Sequence, residues 1–134
     1  MGALVVPAAV EGPVLVCEEG LSFWGGVDPE TGRVIDAHHD QHGRSLAGQV
    51  VLMPTSRGSC TGSGVLLELA LKGHAPAALL FREEEDVLTL GALIAGRMFE
   101  RSLAVARLTA EEYEAVSKQD RVRIAGGVLE GEGL

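Results

Sequence analysis

A run of hydroxyl, glycine and arginine residues interrupts the apolar pattern of the chain within the stretch MPTSRGSCTGSGVLLELALKG, residues 53–73. One apolar run ends at Pro54, and a second, strongly apolar segment resumes at Val65. The polar residues between them occupy a predicted junction from a strand to a helix, which is where open α/β sheets place ligands. Free N–H groups and the positive dipole end at the start of such a helix favour an anion.

The residue types in this junction suit a carboxylate ligand. Arg57 can place two parallel N–H donors on a carboxylate, and Gly58, Gly62 and Gly64 allow the backbone to approach a ligand closely. A serine hydroxyl here could act as a base if Arg57, the helix terminus and a nearby metal stabilised its alkoxide. The same residues also suit a polar turn in which Ser and Thr cap the helix.

Two phosphate-binding motifs are excluded by spacing. The Walker motif requires a Lys followed by Ser or Thr after its last glycine, and that pair is missing. The dinucleotide fingerprint requires a third glycine at a fixed step after Gly62-Ser63-Gly64, and none stands there. The junction is therefore a candidate anion site of no standard nucleotide-binding type.

The composition indicates one acidic domain. The 134 residues suffice to bury a core without disulfides or a structural metal. The net charge of −8, with no basic stripe, argues against a nucleic-acid partner. No segment approaches the ~20 apolar residues of a membrane span, and no signal peptide is visible, so we expect a cytoplasmic protein without membrane contact. Cys17 and Cys60 fit neither a disulfide framework nor a zinc spacing.

Short apolar runs separated by turn residues predict the elements that carry the junction. Strands are predicted at 14–18, 33–36, 48–54, 75–81, 102–108 and 120–127. Helices are predicted at 65–72, 85–99 and 109–119, the last with a Thr109–Glu112 capping box. Alternation of strand and helix in the C-terminal half predicts a partly parallel sheet, and the N-terminal half is predicted to be all-β. Gly91 and Gly96 predict close helix packing, because each costs about 1 kcal/mol relative to Ala in a helix.

With these elements in place, the segments SFWGGVDPETG, GRSLAG and RGSCTGSGVLLE, in this order, resemble the small subunit of the aconitase X family, also called its swivel domain. The resemblance covers about residues 10–125, so we expect residues 1–134 to form a single domain. It implies an α/β fold: a swivelling β/β/α domain with a mixed, partly parallel sheet, like the mobile last domain of aconitase.

The resemblance also implies an activity and a partner. Known members are hydro-lyases that dehydrate either cis-3-hydroxy-L-proline, to Δ1-pyrroline-2-carboxylate, or mevalonate 5-phosphate. A large subunit is implied to carry iron or an iron–sulfur cluster, which helps the substrate hydroxyl to leave. The active site is expected where the two subunits meet, and this chain is expected to contribute no metal ligand.

Within the junction, the resemblance assigns roles to individual residues. Ser59, directly after the Arg-Gly pair, matches the family's proton acceptor and is implied to remove the proton alpha to the substrate carboxylate. An isolated serine hydroxyl is too weak an acid to ionise at neutral pH, so the chain alone is expected to be inert. Cys60 stands where members commonly carry Ser or Thr, and we interpret it as a small apolar replacement. The residues expected to bind substrate or stabilise its charge are Arg57, Gly58, Cys60, Thr61 and Ser63.

Other polar residues are interpreted less specifically. His38, His39 and His42 stand among aspartates like a metal patch, but their irregular loop favours a solvated turn. Because the loop lies close to the GRSLAG segment, a substrate-facing role for His38 or His39 stays open. The acidic run at 82–87 is interpreted as a solvated helix start. Trp24 with Phe23 could join the core or face the large subunit, and we predict the interface, because Trp and Phe are enriched in such surfaces.

Two alternatives to the principal interpretation stay open. The first is the phosphorylated substrate, which would require more basic groups than Arg57 and Arg44 provide, so we expect cis-3-hydroxy-L-proline. The second is a different class of protein: a stand-alone anion-binding or interaction module without chemistry.

Overall fold

The computed structural model describes residues 3–58, 61–125 and 128–131. The strands are β1 (Ala3–Val6), β2 (Val10–Val16), β3 (Val50–Met53), β4 (Ala78–Phe81), β5 (Ala104–Arg107), β6 (Arg121–Ala125) and β7 (Val128–Glu130). The helices are α1 (Phe23–Gly26), α2 (Gly62–Lys72), α3 (Val87–Phe99) and α4 (Ala110–Ser117).

All seven of these strands form one sheet in the order β1-β5-β4-β3-β2-β6-β7. The four central strands, β2 to β5, run parallel to one another. β1 adds to β5, and β6 to β2, in antiparallel fashion. The prediction of an α/β fold with a mixed, partly parallel sheet is therefore confirmed. Because parallel strands end at the same side, the chain leaves β2, β3, β4 and β5 at one edge, called here the carboxyl edge.

Helices cover both faces of the sheet. Along β3, Val51 and Met53 join the core beneath α2 and α3, whereas Val50 and Leu52 join the core beneath α4. This alternation follows from the period of two in a strand. A strand that is buried on both faces is expected to be apolar throughout, as this one is.

The N-terminal half departs from the all-β prediction. Between α1 and β3 the chain forms turns, and its β pairing there is limited to two isolated bridges, Val27 to Val34 and Arg33 to Ser45, so the predicted strand at 33–36 is wrong. Val34 and Leu46 are nevertheless buried, in the core that also includes α2 and α3. Residues 27–49 therefore cover a face of the sheet instead of extending an edge.

The helix ends follow their local signals. The capping box of α4 is confirmed: Thr109 Oγ1 accepts from the Glu112 amide at 3.2 Å, and the Thr109 amide donates to Glu112 at 3.0 Å. Gly73 ends α2 as predicted. The helix begins at Gly62, three residues before its apolar run, so its first turn includes part of the glycine-rich junction.

The two glycines inside α3 have different surroundings. A Cβ atom at Gly91 would lie 2.7 Å from the carbonyl oxygen of Ser63 on α2, and one at Gly96 would meet nothing within 4 Å. The prediction of close packing is thus correct for Gly91 and wrong for Gly96.

Alanine substitutions at these glycines should therefore have opposite effects on stability. Gly91→Ala is expected to lower the free energy of unfolding by about 1–3 kcal/mol, because two helix backbones must separate. Gly96→Ala is expected to raise it by up to about 1 kcal/mol through helix propensity. Urea unfolding of both variants measures the difference, and equal shifts would contradict the packing assigned to Gly91.

Candidate functional site

The junction loop, residues 54–61, leaves β3 at the carboxyl edge between two neighbouring connections. The carbonyl oxygen of Pro54 accepts from the amides of Arg82 at 3.2 Å and Glu83 at 2.9 Å, just after β4. On the other side, the Arg57 amide donates to the carbonyl oxygen of Leu21 at 3.3 Å. The predicted location of this loop, between the carboxyl end of a strand and the start of a helix, is therefore correct. Parallel sheets present ligand-binding residues at this edge. Two residues of the loop, Ser59 and Cys60, lie outside the described residues, so their roles stay predictions.

Glycines bring the junction loop against the connection that follows β2. A Cβ atom at Gly20 would lie 2.8 Å from Cγ of Arg57. At Gly58, φ is +90°, and a Cβ atom would lie 3.0 Å from Cβ of Ser22. Only glycine combines this backbone conformation with this approach. The loop segment that precedes Ser59 is therefore held closely by its neighbour.

The Arg57 side chain is exposed at the mouth of the junction loop. Its Nη1 lies 3.6 Å from a carboxylate oxygen of Glu19, and these side chains are 62% and 47% exposed. An exposed ion pair of this kind contributes at most about 1 kcal/mol. The guanidinium can therefore leave Glu19 for the carboxylate of a ligand at small cost.

The start of α2 does not use Thr61 as a side-chain cap. Thr61 has helical angles of −62° and −16°, and its side chain forms no cap hydrogen bond with α2. Gly62 is buried, whereas Thr61 and Gly64 are exposed. The capping alternative therefore does not describe Thr61, and α2 begins at the carboxyl edge.

Glu85 is a polar residue of this region that the sequence interpretation missed. The run at 82–87 was expected to be a solvated helix start, but Glu85 is only 9% exposed. Its carboxylate accepts from the amides of Leu88 at 2.9 Å and Thr89 at 3.0 Å, and from the hydroxyl of Ser56. The solvated interpretation is thus wrong for Glu85. An acidic residue just before a helix is the available signal, because its carboxylate can satisfy the first N–H groups.

The three histidines do not act as a group. His38 and His42 are exposed, as a solvated turn requires, but His39 is only 5% exposed. His39 Nδ1 accepts from the Gln41 amide at 3.0 Å, so Nε2 carries the proton and donates to the carbonyl oxygen of Glu19 at 3.2 Å. The solvated interpretation is therefore wrong for His39, which supports the connection that follows β2.

Glu19, His39 and Asp40 bring possible metal-ligand atoms within 4.8 Å of one another. Both ring nitrogens of His39 are already hydrogen-bonded, and Asp40 Oδ2 accepts from the Glu18 amide at 3.0 Å. A metal here would have to displace structural hydrogen bonds. The geometry favours a structural role for this cluster.

Cys17 lies at the end of β2 as a free, fully buried thiol. Burial, followed by the nearby charge of Asp40, raises the pKa of Cys17 to about 12. The thiol is therefore protonated at neutral pH, and a protonated thiol is neither a nucleophile nor a good metal ligand.

Cys17 should consequently resist thiol reagents in the folded protein. In a Cys60→Ser variant, where Cys17 is the single remaining thiol, labelling at pH 8 is expected to be about 100-fold slower in buffer than in guanidinium chloride. An aromatic disulfide reagent releases a coloured thiolate as it labels the cysteine, and the absorbance of this thiolate measures both labelling rates. Fast labelling of the folded variant would contradict the burial and the raised pKa of Cys17.

Comparisons with known proteins match almost the whole length of this chain. A family model described as the aconitase X swivel domain matches residues 1–131. A cis-3-hydroxy-L-proline dehydratase of Pseudomonas aeruginosa is 48% identical over 126 residues, which are 94% of this chain and 22% of that protein. The phosphomevalonate dehydratase small subunit of Thermococcus gammatolerans is 38% identical over 127 residues, 94% of this chain and 97% of that subunit. The crystal structure of Thermococcus kodakaraensis aconitase X in its holo form superposes with a TM-score of 0.82 at 34% identity, covering 98% of this chain and 95% of that one.

The matched relatives differ in length. The chain spans only 22% of the Pseudomonas aeruginosa dehydratase but 97% of the Thermococcus gammatolerans subunit. Similar sequences therefore occur within a much longer polypeptide and as a separate subunit. Within the part of the chain that the structure describes, the helices are too short or too polar to cross a bilayer.

Proposed function

Because the chain belongs to the aconitase X swivel-domain family, we propose that it is the small subunit of a two-subunit hydro-lyase that dehydrates cis-3-hydroxy-L-proline to Δ1-pyrroline-2-carboxylate. The observation that carries this proposal is the 48% identity to a dehydratase of that name along 94% of the chain. Over the same share of the chain, the Thermococcus gammatolerans phosphomevalonate subunit is 38% identical. The proposed protein is cytoplasmic and contacts neither nucleic acid nor membrane.

The charge of the junction loop supports the smaller substrate. Arg57 is the cation that the described part of the loop presents, and Glu19 lies beside it. Arg82 is directed elsewhere, with its guanidinium 5.3 Å from the centre of the Tyr113 ring. Arg44 stands in the 27–49 segment, where its carbonyl oxygen accepts from Val34. One arginine suits a single carboxylate, and a phosphate would require further cations from the partner.

The chemistry proposed for this chain is removal of a proton. Ser59 acts as the base at the carbon alpha to the carboxylate, and Arg57 binds that carboxylate. The backbone of Gly58 and the start of α2, with Cys60, Thr61 and Ser63, stabilise the charge that develops. When the partner excludes water, the attraction of the alkoxide to Arg57 and to the start of α2 strengthens, and this attraction offsets the cost of removing the alkoxide from water.

The described residues of this chain do not fit iron or an iron–sulfur cluster. Cys17 is buried and protonated, and the cluster at Glu19, His39 and Asp40 is held by hydrogen bonds. We therefore assign the iron or iron–sulfur cluster to the large subunit, as the family resemblance implies.

The large subunit is proposed to cover the carboxyl edge. Trp24 is 62% exposed, whereas its neighbour Phe23 is buried in the core, so the interface prediction is wrong for Phe23. The Ser22 hydroxyl donates to the carbonyl oxygen of Trp24 at 2.9 Å, and Gly58 packs closely against Ser22. The exposed indole therefore belongs to the rim of the junction loop, where a partner that closes the site would contact it.

Trp24→Ala should weaken the two-subunit complex without unfolding this chain. The indole buries little of its surface in the isolated chain, and aromatic anchors at interfaces often contribute 2 kcal/mol or more, so we expect Kd to rise by about tenfold or more. Leu71→Ala is the matched control, because Leu71 is 42% exposed and stands at the opposite end of α2. Calorimetric titration measures both affinities, and equal affinity for Trp24→Ala and wild type would remove Trp24 from the interface.

Co-expression of this chain with its large subunit tests the proposed function. The purified complex is assayed for dehydration of cis-3-hydroxy-L-proline and of mevalonate 5-phosphate, beside each subunit alone. We expect turnover of the hydroxyproline by the complex and none by this chain alone. Turnover of the phosphorylated substrate alone would reassign the substrate. A stable, ligand-binding monomer with no partner would instead support the stand-alone anion-binding module.

A further inference from the structure

A hydrogen bond between Ser56 and Glu85 connects the junction loop to the start of α3. The Ser56 hydroxyl donates to Oε2 of Glu85, a residue 29 positions further along the chain. Glu85 is 9% exposed, and Ser56 is half-buried. A buried carboxylate is costly unless its oxygens are hydrogen-bonded. The carboxylate of Glu85 therefore requires hydrogen-bond donors close to it.

The other partners of Glu85 belong to α3. Its Oε1 accepts from the amides of Leu88 at 2.9 Å and Thr89 at 3.0 Å, and its carbonyl oxygen accepts from the Thr89 hydroxyl at 2.6 Å. These bonds satisfy N–H groups that the first turn of a helix otherwise leaves unpaired. They hold the carboxylate firmly on α3. Its Oε2 also accepts from the Leu88 amide, at 3.0 Å, and shares this position with the Ser56 hydroxyl.

A helix cap alone does not require Ser56. In the cap of α4, Thr109 and Glu112 satisfy each other within three residues, without any group from a distant segment. At α3, by contrast, the carboxylate also holds the loop that leaves β3, and the Thr55 hydroxyl reaches the Glu84 carbonyl oxygen at 3.4 Å. The bond between Ser56 and Glu85 therefore fixes the position of the junction loop as well as the helix.

We propose that Ser56 and Glu85 are positioning residues that hold the junction loop in the conformation required for catalysis. This inference rests on the proposed function, because it assigns the position of the base at Ser59 to a hydrogen bond three residues before it. A second bond, from the Arg57 amide to the Leu21 carbonyl oxygen, also holds the loop; without the Ser56 hydroxyl it should open more often but stay formed most of the time. Loss of the Ser56 hydroxyl should therefore disturb proton removal more than binding of the substrate carboxylate.

The test compares Ser56→Ala, Ser56→Thr and a control, Thr109→Ala, in the two-subunit complex. For Ser56→Ala we expect kcat to fall by about 10- to 100-fold with KM changed less than about threefold, since small misplacements of reacting groups lower rates by such factors. Ser56→Thr, which retains the hydroxyl, should recover most of kcat. Thr109→Ala removes a helix cap at α4 and should leave kcat unchanged.

Amide hydrogen exchange of the isolated chain provides a readout that does not depend on activity. In Ser56→Ala, the amides at 55–58 should exchange about tenfold faster or more, and those of α4 should be unchanged. Thr109→Ala should show the opposite pattern. If wild-type complex dehydrates neither substrate, the proposed function fails, and the exchange data alone decide whether the bond holds the loop.

Two results would overturn the positioning role. The first is Ser56→Ala with the exchange rates of wild type at 55–58. The second is a fall in kcat that matches a loss of folded protein and is not recovered by Ser56→Thr, because such a fall would reflect stability alone. Glu85→Gln is the reciprocal variant. Its side-chain amide oxygen can still accept from the backbone amides of α3, so α3 should persist while the hydrogen bond to Ser56 is altered.

Discussion

Ser59→Ala is expected to remove nearly all dehydratase turnover from the assembled enzyme while folding and assembly stay intact. A positioned general base contributes about 10²- to 10⁴-fold to rate, and no other hydroxyl is assigned to that proton. Gly58 and Thr61, the nearest described residues on either side, are both exposed. Loss of one oxygen between exposed neighbours should have little effect on the free energy of unfolding. Steady-state kinetics of the complex, together with thermal unfolding of the subunit, measure the two effects separately.

Ser117→Ala is the matched control for this prediction. The Ser117 hydroxyl donates to the carbonyl oxygen of Glu114 at 2.7 Å at the end of α4, away from the junction loop. This variant makes the same chemical change and should retain full turnover. Near-normal turnover by Ser59→Ala would be incompatible with its role as the base, and a large loss in Ser117→Ala would show that the assay reports stability instead.

The parts of the fold that were predictable depend on local signals. β3 and β4 are four-residue runs of apolar side chains, all buried, and such runs between turn residues predict internal strands. The capping box of α4 involves residues only three apart. The location of the candidate site followed from the same information, because a polar, glycine-rich segment between an internal strand and a helix must leave the sheet at its carboxyl edge.

The parts that were not predictable depend on partners far apart in the sequence. Glu85 can be buried because Ser56 and the start of α3 supply its hydrogen-bond donors. His39 can be buried because its ring is hydrogen-bonded to the Glu19 carbonyl oxygen. Neither of these long-range hydrogen bonds produces a periodic pattern in the sequence. Similarly, the glycine pattern of α3 did not reveal which glycine touches α2, since that depends on the relative placement of two helices.

Gly58→Ala is expected to lower turnover of the complex by about 100-fold and the free energy of unfolding by about 1–3 kcal/mol. At φ +90°, alanine is strained, and its Cβ atom would lie 3.0 Å from Cβ of Ser22. The loop can relieve both only by moving away from the connection after β2. Such a movement changes the position of the next residue, Ser59, and misplacement of about 1 Å can lower a rate by about 10². Kinetics and urea unfolding measure the two losses.

Gly43→Ala separates backbone strain from close approach. Gly43 has nearly the same φ, +87°, but a Cβ atom there would meet nothing within 4 Å. It should therefore lose stability through strain alone and retain turnover, since it stands outside the junction loop. If Gly58→Ala lost only as much stability as Gly43→Ala and turned over substrate at the wild-type rate, the contact with Ser22 would have no role in positioning the loop. A selective loss of turnover in Gly58→Ala would instead show that the contact between these two connections at the carboxyl edge sets the geometry of the base.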